Sequence, residues 1–488
     1  MKISKKMLTK SEKIIFKKIR KFVTNTGINV IPRVAGGWVR DKLFGNNSND
    51  IDIALDTMSG YEFATKLKDY YSEDPFFSRI GKIKENPEQS KHLETAVMKI
   101  NCIFVDFVCL RSELYMDSRI PQIKIGTPKD DALRRDLTIN SLFYNLMTQE
   151  IEDFTEKGIQ DLKNKIIRTP LCPLITFRDD PLRILRIMRF AARFNFKIVP
   201  EIKIALQNKE IHDALLTKIS IERIQIEINK IINFKRSSMV FLWVFKYNLY
   251  NSIFKDDTVY DNKKAKLFIK IISQIKSIFV LPVKKIKSTK KNNSYRIQDK
   301  DLDLKDVLEH HHPVNCVILN IYKGIFLNIG VIVQSKKPSF KNYLICKENL
   351  KFPNKFCDLI QKIEENFLFL EKNIAIFDLT ILNCIILIRK MKNSWLETFL
   401  LFISIQKLNE NVVLEEKAVL FLSFICKNNL CHCYDIIPLV RGKDVGRLTN
   451  DKTKYSVLLE KAIEHQILHK SKSKREILEY LRSELNNI

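Results

Sequence analysis

The sequence predicts an α+β protein, with a strand-bearing N-terminal region followed by a long all-helical one. Eight of the twelve glycines fall within the first 158 of 488 residues, so tight turns concentrate early. Apolar residues in that region alternate or run in short blocks, as in Val105-Asp106-Phe107-Val108, which is the patterning of strands. From about residue 177 onward they recur at three and four, the spacing of helices with one buried face. A chain of this length has room for several cores.

Residues 11–25 read as a basic amphipathic helix, and 30–35 as a short strand running into Gly36-Gly37. A second strand covers 49–55 and a helix 60–71. The polar stretch Ser72–Lys91 reads as a mobile loop, and Thr95–Ile100 with Cys102–Leu110 as a hairpin about Asn101. Asp179 or Asp180 would cap an arginine-rich helix with Pro181 in its first turn. Asp153, Gly158 and Asp161 fit a turn closing a strand, and Ser220-Ile221-Glu222-Arg223 opens a further amphipathic helix. The Lys/Asn/Ser run between Pro282 and Asp303 reads as a flexible insertion, and Ile381–Ile388 as part of a buried helix.

Charge and composition narrow the function. Lys and Arg number 83 against 56 Asp and Glu, a formal net charge of +27. Such an excess suits a polyanionic partner, RNA or DNA, although Lys-rich composition throughout contributes to it. The ten cysteines form no C-x-x-C pair, so they read as buried free thiols in a reducing compartment. Cys431-His432-Cys433 lacks a second half-site at zinc spacing, and His310-His311-His312 reads as an exposed loop or helix end. No apolar run approaches the roughly 20 residues that span a bilayer, so no membrane association is expected. The first residues lack the apolar core of a secretory signal.

The residues that carry chemistry begin with Gly36-Gly37-Trp38-Val39-Arg40-Asp41, followed by Asp50-Ile51-Asp52. In a strand, residues i and i+2 share a face about 7 Å apart. Two such carboxylates repel each other unless a cation lies between them, and Mg²⁺ carrying nucleotide phosphates is a natural occupant. The glycines and the helix start would let backbone N–H groups approach those phosphates. The same pattern also suits a turn followed by an edge strand with two solvated aspartates. Asp106 either faces solvent or, on an adjacent strand, supplies a third ligand to a two-metal centre. Arg134 and Arg135 could clamp phosphates and Asp136 could accept a bond from a ribose hydroxyl; a simple ion pair at a helix start is the alternative.

Asp180 and Arg183 either pair on a helix surface or together present an acceptor beside a donor. The second arrangement complements cytosine and adenine, each with an amino donor next to a ring-nitrogen acceptor, and rejects uracil and guanine. Arg186, Arg189 and Arg193 continue along one flank as phosphate contacts or ion-paired surface residues. Glu222, Arg223 and Glu227 would buttress that helix.

Taken in order, these motifs resemble those of class II tRNA nucleotidyltransferases, the CCA-adding enzymes, in their eukaryotic branch. The match includes Arg134-Arg135-Asp136, Asp153…Gly158, Asp179-Asp180-x-x-Arg183 and Ser220-x-Glu222-Arg223, with His92–Ala96 and Asp130–Leu133 beside them. It covers residues 31 to about 235; Gly442–Val445 and Gln466 match the family's tail only loosely.

The resemblance implies a polymerase-β-like nucleotidyltransferase palm followed by helical neck, body and tail. The boundaries expected are 1–30 for an N-terminal basic helix, 31–170 for the head and 171–235 for the neck. The body would cover 236–375, with a Lys-rich insertion near 284–300, and a tRNA-binding tail 376–488. Asp50 and Asp52 would hold two Mg²⁺ ions, with Asp106 as the third catalytic carboxylate. Gly36, Gly37, Arg40, Arg135, Asp136, Asn140, Asp179, Asp180, Arg183 and Arg186 would bind the nucleotide, Asp179 holding the base-reading pair. Arg178 departs from the small or apolar residue expected before the aspartate pair.

The expected activity is template-independent addition of C, C and A to tRNA 3′ ends from CTP and ATP, with release of pyrophosphate and no obligate protein partner. Rival expectations are a poly(A) polymerase, a CC-only or A-only enzyme with Ser72–Lys91 governing the switch to A, or an inactive RNA-binding protein on the same fold. The expected location is cytoplasmic, with nuclear or mitochondrial pools left open.

Overall fold

The computed structural model describes residues 7–48, 50–83, 95–101, 103–114, 122–234, 236–255, 285–288, 295–298, 341–471 and 473–485. Two compact units emerge, one of residues 1–231 with 246–255, the other of 232–245 with 256–488. The first carries a seven-stranded sheet, and the described residues of the second are helical apart from one short hairpin.

Helix α1 (Lys10–Thr26) starts on a reciprocal cap: the Thr9 hydroxyl accepts from the Glu12 N–H, and the Glu12 carboxylate accepts from the Thr9 N–H. Its stripe of Ile15, Phe16, Ile19, Phe22 and Val23 is buried. Glu12 is buried too but fully engaged, taking the Trp38 indole N–H at 2.9 Å and the Lys42 ammonium at 2.8 Å. That pair ties α1 to α2 (Gly37–Leu43), the helix behind the glycine pair.

Strand β1 (Arg33–Ala35) is shorter than expected because Pro32 has no N–H to give a ladder. It is followed by β2 (Ile51–Leu55), α3 (Gly60–Tyr70), β3 (Phe77–Ile83), β4 (Thr95–Ile100) and β5 (Ile103–Cys109). β6 (Arg111–Leu114) and β7 (Gln122–Ile125) form a separate hairpin, then come α4 (Pro128–Leu133), β8 (Phe143–Asn145), β9 (Glu150–Glu152) and α5 (Gly158–Asn164). The large sheet runs β3-β4-β5-β2-β1-β8-β9. Its one parallel pair, β2 with β5, needs a crossover, and α3 supplies it. At the start of α3 a Cβ on Gly60 would lie 1.9 Å from the Phe107 carbonyl oxygen, so only glycine lets the helix sit this close to β5.

A parallel pair of two-residue strands, β10 (Ile166–Ile167) and β11 (Lys197–Ile198), brackets α6 (Pro173–Asp179) and α7 (Arg183–Phe194). After them come α8 (Pro200–Ala205), α9 (Lys209–Lys218) and α10 (Ile221–Ile232).

Several expectations need correction. Part of the stretch read as a loop, Phe77–Ile83, is the edge strand β3; residues 84–91 lie outside the described residues. The hairpin about Asn101 is present, with Asn101 at φ 49°. Within the lysine-rich run, Lys285–Ser288 pairs antiparallel with Tyr295–Gln298; the rest of that run and His310–His312 lie outside the described residues. Neither Asp179 nor Asp180 caps α7. Pro181 forces the residue before it into extended geometry, so Asp179 ends α6, and Asp180 (φ −143°, ψ 96°) bridges to a helix that begins at Arg183.

The second unit includes helices at Asn354–Ile374, Ile381–Met391, Trp395–Leu408 and Val412–Lys427. A smaller cluster of Val440, Val445, Leu458, Ala462, Ile477 and Leu481 holds the C-terminal helices together. The described cysteines are unbridged and, Cys172 apart, buried. Among the described residues no helix is long and apolar enough to cross a membrane.

Burial pushes the Glu397 carboxyl on the Trp395–Leu408 helix up to about 7, from a usual value of 4.5. Between those values the folded protein holds a proton that the unfolded chain has released. Stability therefore falls as pH rises through this window and stays low above it. Glu397→Gln should flatten that dependence, raising stability near pH 8 by ~1–3 kcal/mol and changing little near pH 4. Urea denaturation across the range measures this, and an unchanged pH profile would contradict it.

Candidate active site

A cleft of about 1050 Å³ opens in the first unit, lined by α2, β2, β6, the segment after α4, and helices α7 and α10. Its floor is set by the register of β2 on β5, which places Asp52 directly beside Asp106. Asp50 shares their face, two residues before Asp52. Among the described residues no side chain pairs with any of the three carboxylates. Burial, then the neighbouring Asp52 and Asp50, push the Asp106 carboxyl up to about 6. Asp52 is also raised, by burial and by Asp50, with Arg135 pulling the other way.

The donor set suits a hard divalent cation: bare carboxylate oxygens gathered on one face, with Asp50 and Asp52 adding to the proton affinity of Asp106. Among the described residues no group of three or more His, Cys, Asp or Glu side chains is placed to hold a metal ion by itself. The arrangement fits an open site whose remaining ligands come from water and phosphate.

Gly36, at the entrance to α2, has φ 66° and ψ −117°, a region that essentially only glycine occupies. Its N–H donates to the Leu142 carbonyl at 2.8 Å. A Cβ there would lie 2.5 Å from Nη1 of Arg135. Beyond it, Arg40 donates to the Asn140 side-chain oxygen, pairs with Asp41 at 2.8 Å, and lies against the rings of Phe190 and Phe194. Burial lowers the Arg40 pKa, and Asp41 partly offsets this.

Most of the other cleft arginines are held by carboxylates, some near in sequence and some distant. Asp131, buried, pairs with Arg134 and accepts from Arg135 at 2.8 Å. Burial alone would raise its pKa, but the two guanidinium groups hold it at about 2. Glu113 on β6 forms an ion pair with Arg111 at 2.9 Å and accepts from Arg134 at 3.0 Å, with Arg183 at 4.0 Å. Asp136 takes the Asn140 amide at 3.0 Å and Arg186 at 2.8 Å, and despite full burial its pKa is lowered. Glu227 on α10 takes Arg189 at 2.8 Å and lies 3.7 Å from Arg186. Asp180 accepts from Arg223 at 2.7 Å and from the Leu182 N–H at 3.2 Å, while Arg183 donates to the Thr176 carbonyl at 3.4 Å.

The structure thus brings Gly37, Arg40, Asp50, Asp52, Arg135, Asp136, Asn140, Asp180, Arg183 and Arg186 to one cleft. Gly36, Asp106 and Asp179 stand behind or beside the lining. The Arg183 N–H donates to the Asp180 carbonyl at 3.0 Å, but their side chains do not bond each other; each is held separately. Half-buried Asp179 makes no hydrogen bond to Asp180 or Arg183, and Arg223 from α10 holds Asp180 instead. Sequence reasoning missed this role of Arg223, and it missed the anchors Glu113 and Asp131. The i, i+3 and i, i+4 spacing of Asp131 to Arg134 and Arg135 could have signalled one of them; Glu113 and Arg223 act at long range and left no local signal.

The Poly A polymerase head domain family matches residues 32–168, and the family described as the probable RNA and SrmB-binding site of polymerase A matches 195–258. The mitochondrial CCA tRNA nucleotidyltransferase of Saccharomyces cerevisiae is 35% identical over 461 residues, covering 86% of this chain and 81% of the relative. The mitochondrial CCA tRNA nucleotidyltransferase of Candida glabrata is 35% identical over 493 residues, covering 93% and 91%. A Thermotoga maritima CCA-adding enzyme, solved in complex with tRNA, superposes with a TM-score of 0.64 at 19% identity, over 99% of each chain.

Gly36→Ala should cost roughly 1–3 kcal/mol of stability and displace Arg135. Denaturant unfolding and nucleotide titration measure the two effects. A fully stable variant with unaltered nucleotide affinity would show that the backbone there is unstrained.

Proposed function

The chain belongs to the tRNA nucleotidyltransferase family, the CCA-adding enzymes, and from that membership we propose how its cleft performs the reaction. The protein is a CCA tRNA nucleotidyltransferase that adds C, C and A to tRNA 3′ ends from CTP and ATP. The observation that carries the mechanistic reading is the pairing of Asp52 with Asp106 on adjacent parallel strands, next to a cleft of fixed arginines.

In this reading Asp50 and Asp52, with Asp106 as the third carboxylate, would hold two Mg²⁺ ions, which when bound would activate the attacking 3′-hydroxyl and neutralise charge on the leaving pyrophosphate. Arg40 and Arg135 face the nucleotide phosphates, while Asn140 and Asp136 orient the arginines and offer acceptors to the ribose. Asp136 keeps spare lone pairs beyond its bonds to Asn140 and Arg186. Arg186 is locked by Asp136, so it contributes a fixed positive potential rather than a mobile clamp.

Asp180 and Arg183 would read the base. Because Arg223 and the Leu182 N–H hold Asp180, and the Thr176 carbonyl holds Arg183, acceptor and donor are set before the nucleotide arrives. Such a pair selects cytosine and adenine and rejects uracil and guanine without a nucleic-acid template. The domain reading is a head near 31–170, a neck near 171–235, a body near 236–375 and a tRNA-gripping tail near 376–488. The relatives from Saccharomyces cerevisiae and Candida glabrata carry "mitochondrial" in their names, which supports a mitochondrial pool beside the cytoplasmic one.

Incorporation of labelled CTP and ATP into tRNA lacking CCA, tRNA ending in C and tRNA ending in CC tests the full activity. One C, a second C and one A are expected in turn; long A tails without C would favour the poly(A) polymerase alternative. Asp52→Ala should reduce incorporation to background while tRNA binding stays nearly intact, and retained activity would refute the metal role. Arg223→Ala should lower the preference for CTP and ATP over UTP and GTP by roughly tenfold or more, with Arg223→Lys recovering part of it. Competition kinetics would read the ratio, and an unchanged preference would remove Arg223 from base selection.

A further inference from the structure

We propose that Phe104, with Lys99 beside it, forms the stacking platform on which the 3′-terminal nucleotide of the tRNA acceptor strand rests before attack. The proposal rests on the nucleotidyl-transfer reading above and adds the place of the second substrate.

Nucleotidyl transfer sets the attacking and leaving oxygens roughly in line through the phosphorus. The nucleotide side is occupied: the cleft lining comes from α2, β2, β6, the segment after α4, α7 and α10, with no residue of β3, β4 or β5. The strand end must then approach from the other side of the carboxylates, which in this sheet is β5 and then β4. That side carries an exposed aromatic ring. Phe104 is 59% exposed, two residues before Asp106 on the same strand face. Continuing the β2–β5 register by one residue sets it alongside Asp50. Across the antiparallel pair its partner is Lys99, whose ammonium lies 5.8 Å from the ring centroid. The other face of β5 is spent on packing: Val105 and Phe107 are buried, and Phe107 meets Phe63 of α3 at 5.3 Å.

The chemistry of the reaction favours this device. The strand end changes at each step, from whatever base precedes the added triplet to the first C and then the second. A hydrogen-bonding reader would fit one of these and reject the others. An aromatic face accepts every base, because every base has a π face to offer. Lys99 adds a cation where the phosphate of that terminal nucleotide would lie.

The test crosses Phe104→Ala with primers whose 3′-terminal nucleotide is intact or abasic, measuring single-turnover A addition to tRNA ending in CC. Phe104→Ala should lose about tenfold or more in kcat/KM for the intact primer, with Phe104→Tyr recovering most of it. ATP affinity without tRNA and the melting temperature should stay at wild-type values. The abasic end should cost the wild-type enzyme a similar factor and the alanine variant little. A Phe104→Ala rate within twofold of wild type, or an abasic penalty equal in both proteins, would overturn the proposal. Failure of the wild-type enzyme to extend the intact primer would instead overturn the activity on which it rests.

Discussion

The pairing of arginines with carboxylates from other elements is the constraint on which the cleft depends. Several arginines placed within a few ångströms repel one another and swing apart unless they are held. Here Asp131 gathers Arg134 and Arg135, Glu113 bridges β6 to the segment after α4, and Asp136 and Glu227 share the arginines of α7. The partners reach from the sheet domain to α10, so fixing the arginines also fixes α7 and α10 against the head. Pairs this buried add little net stability once desolvation is counted. What they set is position, and the bidentate geometry of the guanidinium makes arginine the residue able to do so.

Against this background the bare carboxylates stand out. Asp41, Glu113, Asp136, Asp180 and Glu227 line the same cleft and all have cationic partners. Asp50 and Asp52 line it with none among the described residues. The fold thus neutralises the acids that hold the cleft's arginines and leaves Asp50, Asp52 and Asp106 without cationic partners among the described residues. Two strands running parallel, an arrangement that requires the α3 crossover and the missing side chain at Gly60, bring Asp52 and Asp106 abreast.

The sequence disclosed local structure better than long-range structure. The stripe of α1, the hairpin at Asn101 and the ordered motifs of the cleft could all be read, because each depends on spacing within a few residues. β3 escaped because its apolar residues Phe77, Ile80 and Ile83 fall three apart. A register shift between Phe77 and Ile80 breaks the two-residue period of an ordinary strand. The Asp-Asp-Pro segment misled for the opposite reason: it has the composition of a helix cap, but Pro181 acts on the residue before it and parts two helices. Which carboxylate holds which arginine depended on contacts such as Arg223 to Asp180, 43 positions apart, and no local pattern encodes those.

The three-residue strand β1 has a further consequence for how the protein comes into being. It lies between β2 and β8, and its second partner begins with Arg33 opposite Asn145. As the nascent chain emerges, β1 and β2 appear early, while β8 and β9 follow only after five intervening strands, β3 to β7. Throughout that interval the flank of β1 offers unpaired N–H and C=O groups to any passing chain. The head therefore matures late in its own translation, and a fragment ending before residue 143 is an open-edged sheet prone to association rather than a smaller head.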